Sequence, residues 1–204
     1  MTTAPHTRRR MSAENRREQI LDITHEIVGA EGFAAATPNR IADAAGVTRP
    51  VLYQQFGDMA GLFVALIDRE SARAAIQFAE GFAQVDETAD PDPFIRAFEG
   101  AVRAIDAHPQ TWRLFLFPPA GAPPELHERQ AVSQAAVRGF LEQELRQAFP
   151  KLPDPEYTAR ILHASGRELL QLRLTDPEHA TLERLVALVR HLRTNVLPAD
   201  RAAD

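Results

Sequence analysis

The segment 37–56, TPNRIADAAGVTRPVLYQQF, constrains this chain more than any other. Ile41, Ala42 and Ala45 share one helical face, the pattern breaks at Gly46-Val47, and Leu52 and Phe56 resume it at helical spacing. Glycine enters a left-handed corner at low steric cost, so the first helix is predicted to end at Gly46 and the chain to turn there. Thr48 is placed to cap a second short helix, with Pro50 early in it, where a missing N–H does no harm. Val51, Leu52 and Phe56 anchor that helix inward and leave Thr48, Arg49, Pro50, Tyr53 and Gln54 to point outward. Four of these five donate or accept hydrogen bonds, as side chains that meet bases and phosphates in a major groove must. Two short helices around a tight corner read as a helix-turn-helix, although a packed helix pair with a solvated polar face would show the same pattern.

At Thr37, Ile41-Ala42, Ala45-Gly46-Val47, Thr48, Leu52-Tyr53-Gln54-Gln55-Phe56 and Leu62 the chain resembles the TetR family of bacterial transcriptional regulators. The resemblance covers roughly the first third of the chain. It implies an all-α fold: an N-terminal three-helix DNA-binding head with the helix-turn-helix, then a helical ligand-binding and dimerisation body. The implied partners are a palindromic double-stranded DNA operator, a second copy of the chain and a small apolar or amphipathic effector, with no cofactor and no membrane. Arg49 and Gln54 are then expected at bases, Thr37, Thr48 and Tyr53 at phosphates, and Pro50 against an apolar base edge. Two departures stand out: Gln55 replaces the family's usual histidine, and the turn Gly57-Asp58-Met59-Ala60-Gly61 lacks the usual basic residue. Asp58 is expected to cap the next helix, whose N-terminal N–H groups offer an alternative phosphate contact.

Charge agrees mildly with this division. The chain carries a net charge of −5, yet seven arginines face six acids through Gly57, so the acidity belongs to the remainder. An acidic body with arginines gathered in a head and arm is compatible with meeting DNA through one small face. The stretch 1–12, with Arg8-Arg9-Arg10, has no hydrophobic period and reads as a flexible basic arm; phosphate contact and plain solubilisation are equally good uses for it. There is no cysteine, no run long enough to span a membrane and no apolar core of a signal peptide, so a cytoplasmic location is expected.

The expected domains are a head over 13–60, a body over 61–197 and a tail over 198–204. In the first helix Ile20, Ile23, Ile27 and Val28 point inward and Arg16, Arg17 and Glu18 outward. The body reads as helices over about 62–83, 94–108, 125–149, 156–175 and 177–196, with an apolar patch at Trp112, Leu114, Phe115, Leu116 and Phe117 between the second and third. Phe82, Phe94, Phe98, Trp112 and Phe115 are candidates to hold an apolar effector, though core packing explains each singly. His163 and Arg167, four apart, share a helical face and are candidates for a polar group of that effector. Leu182, Leu185, Val186, Val189, Leu192 and Val196 form one stripe and Ile161, Leu162, Ser165, Leu169 and Leu172 another. The resemblance makes these a four-helix dimer interface, while an intramolecular hairpin demands the same spacing.

The function expected is a ligand-responsive DNA-binding regulator, a repressor. The alternatives are a helical small-molecule-binding protein without DNA function and, less favoured, a helical enzyme. His127-Glu128 begins a zinc-helix motif, but Ala131 stands where the second histidine is required, and neither a phosphate loop nor a nucleophile elbow is present.

Overall fold

The computed structural model describes residues 11–86, 88, 90 and 92–195. Arg8-Arg9-Arg10, Val196 and the tail lie outside the described residues. Within them the chain forms α1 (Ala13–Glu31), a 3₁₀ turn (Phe33–Ala35), α2 (Pro38–Ala45), α3 (Arg49–Phe56), α4 (Met59–Ala83), α5 (Pro93–Ala107), α6 (Pro109–Leu116), α7 (Pro124–Ala148), α8 (Pro155–Thr175) and α9 (Leu182–Asn195), with no strand. No helix among them is long and apolar enough to cross a membrane.

The helix starts follow local chemistry. α2, α5, α6, α7 and α8 each begin on a proline, whose fixed φ suits a first turn and whose missing N–H would have had no intrahelical acceptor. Side-chain caps add to this: Ser12 accepts from the Asn15 amide at 3.1 Å, Asp92 from Phe94 at 2.9 Å and Asp154 from Tyr157 at 3.0 Å.

Sequence expectations for the last helix and for the buried face of α1 need correction. The last helix begins at Leu182 rather than at residue 177. Arg173 donates to the Pro177 and Ala180 carbonyls at 2.9 and 3.0 Å and holds that segment as a turn, and the Thr181 hydroxyl accepts from the Arg184 amide at 3.3 Å to start the helix. In α1, Ile23 is only half-buried, whereas Leu21, Thr24 and His25 are buried. Thr24 is tolerated there because its hydroxyl donates to the Ile20 carbonyl at 2.7 Å.

The chain divides into two compact units, one running through Ile67 and including Pro119–Pro123, the other comprising Asp68–Pro118 and the chain from Pro124 onward. In the first, α1, α2 and α3 pack on one another, with Ile20, Ile41, Leu52 and Leu62 at 0% exposure. Each such side chain contributes roughly 1.5–3 kcal/mol on leaving water. Phe33 meets Phe63 edge-on, ring centroids 5.0 Å apart, and its amide donates to the Ala120 carbonyl at 3.1 Å. Gly32, at φ 85°, allows that approach: a Cβ there would lie 2.9 Å from the Ala120 oxygen.

In the second unit α7 runs along α8, and α5 meets both α8 and α9. Among the described residues its core includes the apolar clusters of Val102, Ala180 and Leu185; of Ile105, Leu116 and Leu174; and of Leu145, Phe149 and Ala159. Gly81 lies within α4 at its crossing with α5, where a Cβ would fall on the Gly100 carbonyl oxygen. One carboxylate is fully buried here. Glu70 on α4 accepts from Thr111 at 2.7 Å and pairs with Arg69 and Arg73 at 2.9 and 3.0 Å, so its charge is offset locally.

Candidate nucleic-acid interface

The corner falls where the glycine stands. Gly46 is left-handed at φ 62°, ψ 36°, and the Val47 amide closes back on the Ala42 carbonyl at 2.9 Å. Thr37 caps α2, its hydroxyl accepting from the Arg40 amide at 3.4 Å, whereas Thr48 stands at the N-terminal boundary of α3 but, contrary to expectation, its hydroxyl accepts from no helix amide. Leu52 and Phe56 bury one side of α3. Thr48, Arg49, Pro50 and Gln54 are exposed and Tyr53 is half-buried. Arg49 and Tyr53 act as a pair: a guanidinium N–H donates to the phenolic oxygen at 3.3 Å and the cation sits 5.8 Å from the ring centroid.

Side chains of α1 hold the two helices in place. The Arg17 guanidinium donates to the Gln55 carbonyl at 2.7 Å and lies 4.4 Å from the Phe56 ring centroid, and Gln19 donates to the Ala45 carbonyl at 3.4 Å. Thus α1 reaches the last carbonyls of both α2 and α3, and at α3 it supplies the positive charge that a helix C-terminus favours. Arg17 is therefore not the outward-pointing residue that the sequence pattern predicts, and no local signal reveals its partner, which lies 38 residues away. Arg40 pairs with Glu31, holding that carboxyl below its ordinary pKa by hydrogen bonding and charge. At the end of α3, Asp58 accepts from the Gly61 amide at 2.7 Å and caps α4 as expected, and a Cβ at Gly61 would fall on the Phe56 carbonyl oxygen.

The candidate effector residues all lie in the second unit, half-buried but dispersed. Phe82 stacks on Phe78 at 6.3 Å; Phe94 packs with Phe149 and Leu145 and lies 6.5 Å from Phe140. Phe98 and Trp112 belong to different clusters that share Leu170 as a neighbour. The Phe115 carbonyl accepts from the buried Gln130 at 2.7 Å. Arg167 and Gln171 both donate to the Leu116 carbonyl, at 3.1 and 2.7 Å. His163 is held below the ordinary histidine pKa by burial and by Arg138 and Arg167.

The fold defines a helix-turn-helix protein with a separate helical unit. Residues 20–66 match the model of the bacterial regulatory proteins, tetR family. The HTH-type transcriptional activator FasR of Mycolicibacterium smegmatis is 40% identical over 60 residues, 29% of this chain and 27% of that protein. The HTH-type transcriptional repressor AcnR of Corynebacterium glutamicum is 32% identical over 80 residues, 39% of this chain and 43% of the repressor. The chain thus spans less than half the length of these curated relatives. A crystal structure of a TetR-like transcriptional regulator from Rhodococcus sp. RHA1 shares the fold, with TM-score 0.69 and 22% identity over 91% of this chain and all of that one. Over residues 20–66 the chain thus carries the N-terminal domain described by the tetR family model.

Proposed function

We propose that this chain is a DNA-binding transcriptional regulator acting as a homodimer, with α3 of each copy in a major groove. The observation that carries this reading is the sidedness of α3: Leu52 and Phe56 are buried, and Thr48, Arg49, Pro50 and Gln54 face solvent together. Arg49 and Gln54 read base edges, Thr37, Thr48 and Tyr53 meet phosphates, and Pro50 touches an apolar edge such as a thymine methyl. The first N–H groups of α4, at Met59 and Ala60, supply the phosphate contact that a basic side chain provides elsewhere in the family. Two-fold symmetry makes the operator palindromic, with half-sites spaced about 34–36 Å.

The dimer face lies on α8 and α9. Part of the apolar stripe expected there serves the chain's own core instead: Leu185 and Val186 are buried. Ile161, Leu172, Leu188 and Leu192 remain exposed and are the residues we assign to the partner copy. An effector bound in the second unit shifts the population away from DNA only if it prefers a shape in which the two α3 helices are misplaced. The sign we propose is repression, in the cytoplasm.

The test is Arg49→Ala, assayed by fluorescence anisotropy on an operator selected from random DNA. Operator binding should weaken by about 1–3 kcal/mol and sequence preference at one position should relax. Unchanged affinity and preference would refute the assignment, and binding without a salt dependence would refute the DNA reading altogether.

A further inference from the structure

α3 contains no acidic residue, and its one charged side chain is Arg49. The other described arginines of the first unit are committed within the protein: Arg40 pairs with Glu31, Arg17 donates to the Gln55 carbonyl at 2.7 Å, and Arg16 donates to Gln19 at 2.9 Å. Arg49 meets neither a carboxylate nor a carbonyl among the described residues. What holds it is Tyr53, one helical turn further on. Nη2 of Arg49 donates to the phenolic oxygen at 3.3 Å, and the guanidinium carbon lies 5.8 Å from the ring centroid, within cation–π reach. The spacing of four residues is the one at which side chains on a single helical face meet.

The two partners are unequally exposed. Tyr53 is half-buried and Arg49 is exposed, so the better-fixed side chain steadies the freer one. A long side chain loses rotamer freedom when it is fixed on a base, and a contact already made in the free protein removes part of that cost from binding. The bond also takes little from what the guanidinium can read. Nη2 carries a hydrogen on each side, and whichever one Tyr53 accepts, a parallel pair of N–H groups is left, end-on with Nη1 or side-on with Nε. Such a pair matches O6 and N7 of guanine, and no other base presents two acceptors side by side in the major groove. The phenolic hydrogen takes no part in the bond and stays free for the phosphate assigned to Tyr53.

We propose that Tyr53 is a positioning residue that orients Arg49 in advance for a guanine, so that each half-site of the operator carries a guanine whose O6 and N7 are read by Arg49. The proposal rests on reading α3 as the helix that enters the major groove; it names the base recognised and the side chain that prepares its recognition. The two roles of Tyr53 leave different traces. A tyrosine that only touches a phosphate strengthens binding to every sequence alike, whereas one that aims Arg49 strengthens the guanine sequence over the others.

The experiment is fluorescence anisotropy of the full chain on its selected operator and on duplexes in which single guanines of one half-site are replaced by 7-deazaguanine, which pairs normally but lacks the N7 acceptor. The parent should bind the unmodified duplex about ten-fold more tightly than the duplex altered at the guanine that Arg49 reads. Arg49→Ala should bring that ratio to about one. Tyr53→Phe, which keeps the ring and removes the acceptor for Arg49, should lower it to about three. Each ratio compares two duplexes on one protein, so a smaller folded fraction in a variant cancels. A parent ratio near one at every guanine, a ratio that Arg49→Ala does not move, or a Tyr53→Phe variant that keeps the parent ratio while losing affinity equally on both duplexes would each overturn the proposal. Those outcomes leave the operator bound and the regulator reading standing. Absence of salt-dependent DNA binding by the parent would refute that reading, and the proposal with it.

Discussion

Replacing Arg17 by methionine tests how the head is held together. The substitution keeps most of the aliphatic stem and removes the guanidinium that donates to the Gln55 carbonyl at 2.7 Å and stacks 4.4 Å from the Phe56 ring centroid. A hydrogen bond to a charged donor contributes about 1.5–3 kcal/mol, and a partly exposed cation–π contact about 0.5–1 kcal/mol. Arg17 is half-buried and the carbonyl belongs to the last turn of α3, where water replaces the lost donor, so the lower ends apply and the sum is about 2 kcal/mol. Urea denaturation of the full chain, followed by circular dichroism, measures it. The loss should appear in whichever transition reports the first unit, since two units need not unfold as one. Arg16→Met is the control. Its hydrogen bond, 2.9 Å to Gln19, stays within α1, and the expected cost is below about 0.5 kcal/mol. Equal effects of the two substitutions would refute the bracing role of Arg17.

Gly100→Ala should destabilise by about 1–2 kcal/mol, because the new Cβ would lie 2.8 Å from the Phe82 Cα and overpacking outweighs the gain in helix propensity. Gly139→Ala, where a Cβ meets nothing within 4 Å, should stabilise by about 0.5–1 kcal/mol; thermal melts in which both variants move the same way would refute the close crossing of α4 and α5. His163 has a depressed folded-state pKa, so its contribution to stability is complete above the unfolded value of about 6.5 and is lost as pH falls through that value toward the folded one. His163→Gln should therefore flatten the decline in unfolding midpoint between about pH 7.5 and 5.5, and parallel slopes for variant and parent would contradict the cause assigned to the shift.

Most of the candidate interface is legible in the sequence because the rules that shape it are local. A glycine at the corner, a threonine cap, prolines at first turns and a 3.6-residue apolar period each act within a few residues. The order of residues is therefore enough to place Gly46, Asp58 and the buried Leu52 and Phe56. The same sidedness leaves Arg49 and Gln54 exposed on α3. What tertiary structure alone decided is everything that depends on distant partners. Arg17 reads as a solvated charge until α3 is folded beneath it. Residues 119–123 read as a plain proline-rich connection, yet Ala120 accepts the Phe33 amide in the first unit. Gly81 carries no sign of Gly100 until α4 crosses α5, and Arg138 carries no sign of His163 until α7 lies against α8. Periodicity records which side of a helix is apolar; it does not record which helix will cover it, because that choice is made by packing among segments far apart in the chain.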